Sequence, residues 1–272
     1  MTYVTKFDGR KELFQKNKII RTCLRAGVPK HIAKKISDEI EKQIYDGITT
    51  KEIYRTILKE LNKYEKRAST VYRLRESIAK MDPDVFEIFI KKLLELYRYE
   101  CEHNEIISGL CIEHQIDIIA NMTSQNNVLF LVECKRHENP HRFCGLGEVL
   151  KVWARLDDIR NGFAENKNKY NFNQAWIITN TKFSEHAKKY AKDKQIKLTG
   201  WRYPDSDSLE NLIENKKAFP ITLLSVKKDI MRKLLNNGII TIHDITEDEL
   251  RRAGLEQRVI NSIIKQKDSL MK

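Results

Sequence analysis

The chain has 272 residues, of which 41% are hydrophobic and 32% charged, and its 50 Lys+Arg outnumber 38 Asp+Glu. No apolar run is long enough to span a bilayer, the start MTYVTKFDGRKE lacks a signal-peptide core, and five scattered cysteines argue against a disulfide framework, so a soluble cytoplasmic protein with no membrane partner is expected. Residues 1–82 hold 20 Lys+Arg against 11 Asp+Glu, residues 83–220 balance at 20 and 20, and residues 221–272 carry 10 against 7, which leaves a neutral middle between basic flanks suited to a polyanion.

In chain order, the sequence predicts a β-hairpin of Tyr3–Lys6 and Lys11–Phe14 turning at Asp8-Gly9. Amphipathic helices follow near 16–26, 29–45, 50–63 and 65–79, the third capped by Thr49 or Thr50. Met81-Asp82-Pro83-Asp84 ends this pattern, because proline disfavours helix before it and suits a first helical turn after it. The middle then reads helix 84–97, strands 98–106, 115–121 and 127–135, helix 146–160, strand 173–179, helix 183–193 and strand 195–199. Such an order implies a mixed sheet covered on both faces. The polar, turn-rich stretch 202–208 and Pro220 mark a further boundary, beyond which the tail is all helix. The expected fold class is therefore multidomain α+β and α/β, with units 1–82, 83–204 and 221–272 and a linker at 205–220.

The strand Val128–Lys135 is apolar until it ends in Glu133-Cys134-Lys135, and alternation along a strand puts Glu133 and Lys135 on one face. The preceding strand carries one acid, Asp117, among isoleucines. If these strands pair as a hairpin, two carboxylates meet on an apolar sheet, where each raises the other's pKa unless a cation sits between them. Oxygen-only ligands at a part-open site suit Mg²⁺ or Mn²⁺, and Lys135 beside them can steady a water or a phosphoryl charge. The bland alternative is a surface salt bridge on an inert domain. Cys134-x-x-His137-x-x-x-His141-x-x-Cys144 has zinc-like residue types, but Cys134 lies inside a strand and no paired CxxC is present, so buried thiols and loop histidines are the better account. Lys151 and Arg155 on the following helix either touch phosphate or are simply solvated.

Asp117, fifteen intervening residues, then Glu133-x-Lys135 resembles the PD-(D/E)xK nuclease motif, with most of 84–200 covered. Ala175-Trp-Ile-Ile-Thr-Asn-Thr-Lys-Phe-Ser-Glu-His-Ala187 is similar to the strand and helix of Mrr-like restriction endonucleases. Ile116 stands where the motif has proline, and Glu133 where close Mrr relatives have glutamine. The resemblance implies catalytic Asp117, Glu133 and Lys135, metal on Asp117 and Glu133, and an assisting helix acid at Glu87, which an exposed helix glutamate explains nearly as well.

Val4-Thr5-Lys6-Phe7-Asp8-Gly9-Arg10-Lys11-Glu12-Leu13-Phe14, with Lys18-Ile19, resembles the ATP-cone, a regulatory nucleotide-binding module. Ile44–Ile53 and Val71–Arg75 extend the match across residues 3–80. The resemblance implies ATP or dATP, with Lys6 and Lys18 on phosphates, Arg10 assisting, and Glu12 and Thr50 on the nucleotide. Tyr54 occupies a nucleotide-site position where some relatives have histidine. A small basic domain that binds DNA or a partner is the alternative.

The tail, with Leu234–Ile239, Ala253-Gly254-Leu255 and Val259–Ile264, resembles a helix-hairpin-helix fold. Gly254 in the turn and Arg251, Arg252 and Arg258 would face DNA, although Glu256 replaces the second hairpin glycine and repels phosphate. Packing or dimerisation is the rival role. Together these resemblances imply a Mg²⁺- or Mn²⁺-dependent endodeoxyribonuclease of DNA repair or restriction, regulated by ATP or dATP and paired as a homodimer. The rivals are a catalytically silent nucleotide-sensing DNA-binding regulator and an RNA nuclease.

Overall fold

A turn at Asp8 and Gly9 sets β1 (Tyr3–Thr5) antiparallel to β2 (Lys11–Leu13), with Val4 opposite Glu12. The structure, a computed structural model, describes residues 2–6, 8–64, 66–123 and 127–271, and at 66 and 67 the backbone alone. Phe7 of the expected hairpin and Glu65 at the start of the expected fourth helix lie outside the described residues. Helices α1 (Lys16–Arg25), α2 (Lys30–Glu41), α3 (Thr50–Tyr64) and α4 (Lys66–Tyr72) follow. Apolar residues at helical spacing, Ile36 with Ile40 and Ile53 with Ile57 and Leu61, form the core they share with Val4, Ile19 and Cys23. Thr49 starts α3: its hydroxyl accepts from the Glu52 N–H while Glu52 accepts from the Thr49 N–H, a reciprocal cap.

The helix expected over 65–79 is two helices, α4 and α5 (Leu74–Ala79). Between them the Arg73 N–H bonds to the Thr70 carbonyl three residues back, a tighter turn that interrupts the ladder. The chain divides at this point into two compact units, 1–74 and 75–272, so the boundary expected near 82 falls inside the second unit.

In the second unit, Pro83 occupies the first turn of α6 (Pro83–Leu96), which buries Phe86, Phe89, Ile90, Leu93 and Leu94. Strands β3 (Glu100–Ser108), β4 (Glu113–Met122) and β5 (Val128–Lys135) pair antiparallel. After the short β6 (Phe143–Cys144) and α7 (Leu146–Ala164), β7 (Gln174–Thr179) joins β5 in parallel. The short β8 (Lys182–Phe183) pairs with β6, and beyond α8 (Glu185–Asp193), β9 (Lys197–Thr199) extends the sheet, whose order is β3-β4-β5-β7-β9. The α7 side of this mixed sheet holds Ile119, Leu131, Val149, Val152, Leu156, Ile159 and Ile177, each worth about 1.5–3 kcal/mol for a large aliphatic chain fully buried. Gly162 allows α7 to touch the β3–β4 turn: a Cβ there would lie 2.6 Å from the Gly109 carbonyl carbon.

Residues 205–220, expected to be a linker, instead carry α9 (Leu209–Asn215) and bury Leu209, Ile213, Ala218 and Phe219. Apolar residues at 209, 212 and 213 have a helical period, and that buried face ties the segment down. The tail continues through α10 (Lys228–Asn236), α11 (Glu247–Arg252) and α12 (Gln257–Met271), with 3-10 turns at Ile221–Leu223 and Ile242–Asp244. Lys92 of α6 reaches Asp244 at 2.7 Å, and the Tyr97 hydroxyl donates to the Leu212 carbonyl. The tail is therefore fastened to the sheet domain.

Candidate active site

Strand β5 is central, between antiparallel β4 and parallel β7, so its apolar residues are covered on both sides until its C-terminal end. Ligand sites form at such carboxyl ends because loops there splay away from the sheet. Glu133, Cys134 and Lys135 occupy that end, opposite Ile177, Ile178 and Thr179 of β7. The following loop is held in place by buried Asn180, which accepts from the His137 N–H and donates to the His137 carbonyl, both at 2.8 Å.

Asp117 lies at the same end. The β4–β5 ladder is paired from Ile118 with Val132 outward, which leaves Asp117 one residue beyond it and next to Glu133. On the other flank Asn104 falls opposite Asp117, between the His103–Ile118 and Glu105–Ile116 pairs, and its φ of 59° interrupts the β3–β4 ladder. Asparagine tolerates that left-handed backbone better than most residues. With the ladder open on both sides, the Asp117 carboxylate turns to accept the Cys134 N–H at 2.7 Å.

The expected trio therefore converges. Burial, then the Glu133 charge, pushes the Asp117 carboxyl up to about 7, partly opposed by the Cys134 N–H. Glu133 is almost wholly buried, and both its oxygens are covered: Oε1 by Lys135 at 2.6 Å and Oε2 by Arg155 of α7. Burial works against the Lys135 ammonium, yet the hydrogen bond and charge of Glu133 hold its pKa above the ordinary value. Glu148 of α7 stands 3.7 Å from Lys135 and also pairs with Lys151.

Glu87, the helix acid, does not touch the trio. It comes from α6 and meets His103 of β3 at 3.3 Å, yet its charge is felt by Asp117, whose pKa it helps to raise. His103 and His114 show no partner in the sequence, and the structure supplies both: Glu87 for the first, Asp158 at 2.8 Å for the second. Arg155 and Glu148 are the residues that sequence reasoning undervalued. Their signal was present: seven residues apart, they share the α7 side that also buries Val149, Val152 and Leu156. Among the described residues no group of three or more His, Cys, Asp and Glu converges as a metal cage, and the Cys134 and Cys144 thiols are buried.

The N-terminal unit holds its own cluster. Lys6 sits 2.8 Å from Glu12, and Lys18 pairs with the other Glu12 oxygen. Thr50 donates to the Thr5 carbonyl, which fastens the start of α3 to the hairpin. Arg10 turns back to Asp8 at the hairpin tip. Tyr54 stacks on Tyr72 with ring centroids 4.8 Å apart. Lys6, Glu12 and Lys18 are thus brought together, whereas Arg10 and Tyr54 are engaged elsewhere.

In the tail, Gly254 takes a φ of 70° in the turn between α11 and α12, the conformation that a tight helical hairpin requires. Arg251 pairs with Glu247 and Arg252 with Glu249, so these arginines face carboxylates of their own helix. Arg258 lies in the first turn of α12 and is exposed.

Comparison with known proteins finds two families along the chain. Residues 2–78 match the ATP cone domain family, and residues 78–209 match a restriction endonuclease family. An uncharacterized protein of Archaeoglobus fulgidus is 38% identical over 176 residues, which is 64% of this chain and 94% of that relative. A second, short uncharacterized protein of the same organism is 52% identical over 42 residues, 15% of this chain and 89% of its own length. The crystal structure of a protein of unknown function shares 34% identity, covering 70% of this chain and 98% of its own, with a TM-score of 0.58.

Proposed function

Because the chain belongs to the restriction-endonuclease-like family and carries an ATP cone ahead of the nuclease domain, we propose that it is a divalent-cation-dependent endonuclease of DNA regulated by ATP or dATP. One observation carries this reading: Asp117, Glu133 and Lys135 meet at the open end of β5. The donor set fits a hard cation. It offers only oxygens, and the Asp117 carboxyl is held near 7 by burial and a neighbouring carboxylate, a repulsion that a shared cation relieves. Asp117 and Glu133 would hold such an ion, here Mg²⁺ or Mn²⁺, which supplies Lewis acidity and a bound water of lowered pKa.

The remaining work falls to this chain's own groups. Lys135 is placed to stabilise negative charge growing on the phosphoryl oxygens. Glu87 and His103 approach from the α6 side, where their pair can orient a water. The exposed turn of Gly254 with Arg258 at the next helix start is the part of the tail we assign to the DNA backbone. Because it pairs with both lysines, we take Glu12 as their counter-ion and not as the nucleotide contact that the resemblance implies. Lys6 and Lys18 would exchange it for nucleotide phosphates, and the nucleotide would act through unequal affinity for two states of the enzyme. A second copy, cutting the opposite strand, completes a double-strand break. Repair and restriction are the two roles that suit this chemistry.

The test is cleavage of plasmid, single-stranded and branched DNA, and RNA, with Mg²⁺ or Mn²⁺, comparing wild type with Asp117→Asn. DNA cleavage that needs the cation and drops about 1,000-fold in the variant is expected, the scale of losing a group that stabilises transition-state charge. Equal inertness of both proteins on every substrate sinks the nuclease reading and leaves a nucleotide-sensing DNA binder. Cleavage of RNA alone moves the substrate class.

A further inference from the structure

Glu133 has a side chain only 5% exposed, and a lone carboxylate so buried is strongly unfavourable unless it is paired. The structure pairs it twice. Lys135 takes Oε1 from the same strand, two residues on, and its place follows from the alternation of β5. Arg155 takes Oε2 from α7, across the sheet face, at the end of a long flexible side chain that is 27% exposed. The two oxygens covered in this way are the ones Glu133 would offer to a cation.

A guanidinium and a divalent ion cannot share one carboxylate edge, because both need the same lone pairs and their like charges repel. Lys135 has a further carboxylate at hand in Glu148, so it keeps a partner when Glu133 is engaged. Arg155 reaches in from a helix outside the sheet on the longer side chain, and among the described residues it has no second carboxylate in its ion pairs.

We propose that Arg155 is a latch on Glu133: it neutralises the buried carboxylate in the ion-free protein and must swing away before Glu133 can bind a divalent cation. Arg155 is thereby a positioning residue that sets the cation concentration at which the site loads. This inference rests on the proposed function, since it takes Asp117 and Glu133 as the cation's ligands.

Mn²⁺ binding to the full chain without DNA, followed by the electron paramagnetic resonance signal of the free ion, separates the two ideas. Arg155→Gln is expected to bind Mn²⁺ about tenfold tighter than wild type, equivalent to about 1.4 kcal/mol of competition removed. Arg155→Lys, which keeps the charge on a shorter and less directional group, is expected about threefold tighter, and it serves where the glutamine variant does not fold. Asp117→Asn reports whether the Mn²⁺ counted is in this site. A purely structural arginine would loosen the site instead, so unchanged or weaker Mn²⁺ binding in the arginine variants, with binding still sensitive to Asp117→Asn, overturns the latch alone. Mn²⁺ binding that is absent from wild type and the arginine variants, or indifferent to Asp117→Asn, overturns the latch and the cation site together.

Discussion

Glu133 and Glu12 are each clasped by two cations, in opposite surroundings. Glu133 lies between Lys135 and Arg155 in the sheet domain, and Glu12 between Lys6 and Lys18 in the N-terminal unit. The residue types match, but the surroundings do not: the Glu133 side chain is 5% exposed and the Glu12 side chain 36%. In a low-dielectric interior an ion pair is strong and its loss costly, whereas near water the same pair is screened and contributes little. On the proposed function, the buried clasp would preorganise charge for chemistry, and the exposed one would hold two lysines ready for exchange with a soluble anion at small cost.

Matched substitutions test this contrast. The largest effect is expected at Lys135→Ala, which lowers single-turnover DNA cleavage by about 100- to 1,000-fold, the scale of a group aimed at transition-state charge. Lys18→Ala leaves metal-stimulated cleavage without nucleotide within about twofold, as expected where the exposed clasp takes no part in the chemistry. An equal loss in both variants would dissolve the contrast.

Stability should divide along the same line. Glu133→Gln removes a buried charge from between two cations and is expected to cost about 1–3 kcal/mol, while Glu12→Gln stays within about 1 kcal/mol. Calorimetry on the full chain reads both. Glu12→Gln should also bind ATP about threefold tighter, because the lysines lose their internal competitor, and the gain should shrink between low and high salt as screening grows. Isothermal titration at two ionic strengths checks it, and a gain that ignores salt would argue against a charge-based cradle.

A third pair, Lys92 with Asp244, lies between these extremes, with side chains 29% and 22% exposed. Burial alone would raise the Asp244 carboxyl, but the Lys92 ammonium and the Thr241 and Ile240 N–H groups outweigh it and hold the pKa below the ordinary value. A carboxyl depressed in the folded state adds stability that is fully present above the unfolded pKa of about 3.9 and is lost as pH falls through the lower folded pKa. The smallest effect therefore comes in acid: melting temperatures of wild type and Asp244→Asn should converge below about pH 4. Parallel acid limbs would remove the charge from that account.

Much of this architecture was legible along the chain because it is local. Pro83 starts α6 and Thr49 caps α3 through backbone and neighbouring-residue preferences that need no distant partner. Alternation alone put Glu133 and Lys135 on one strand face, and the isolated acid at Asp117 suggested its companion. The break at Arg73 escaped because residues 66–79 carry no proline or glycine to mark it. The supposed linker at 205–220 escaped because a polar, turn-rich stretch hides a short apolar helix whose burial depends on the rest of the unit.

What the sequence by itself determined, then, is where most of the helices and strands before residue 200 begin and end to within a few residues, the family pattern, and which charged residues sit beside each other on one element. Only tertiary structure decided that Arg155 covers Glu133, that Glu87 meets His103, and that Asp244 is tied to Lys92, pairs separated by 22, 16 and 152 positions. The physical reason is range. Backbone preferences act over a few residues, whereas an ion pair depends on distance in space and on the water excluded from around it, and both arise only when the sheet and its helices have closed on one another.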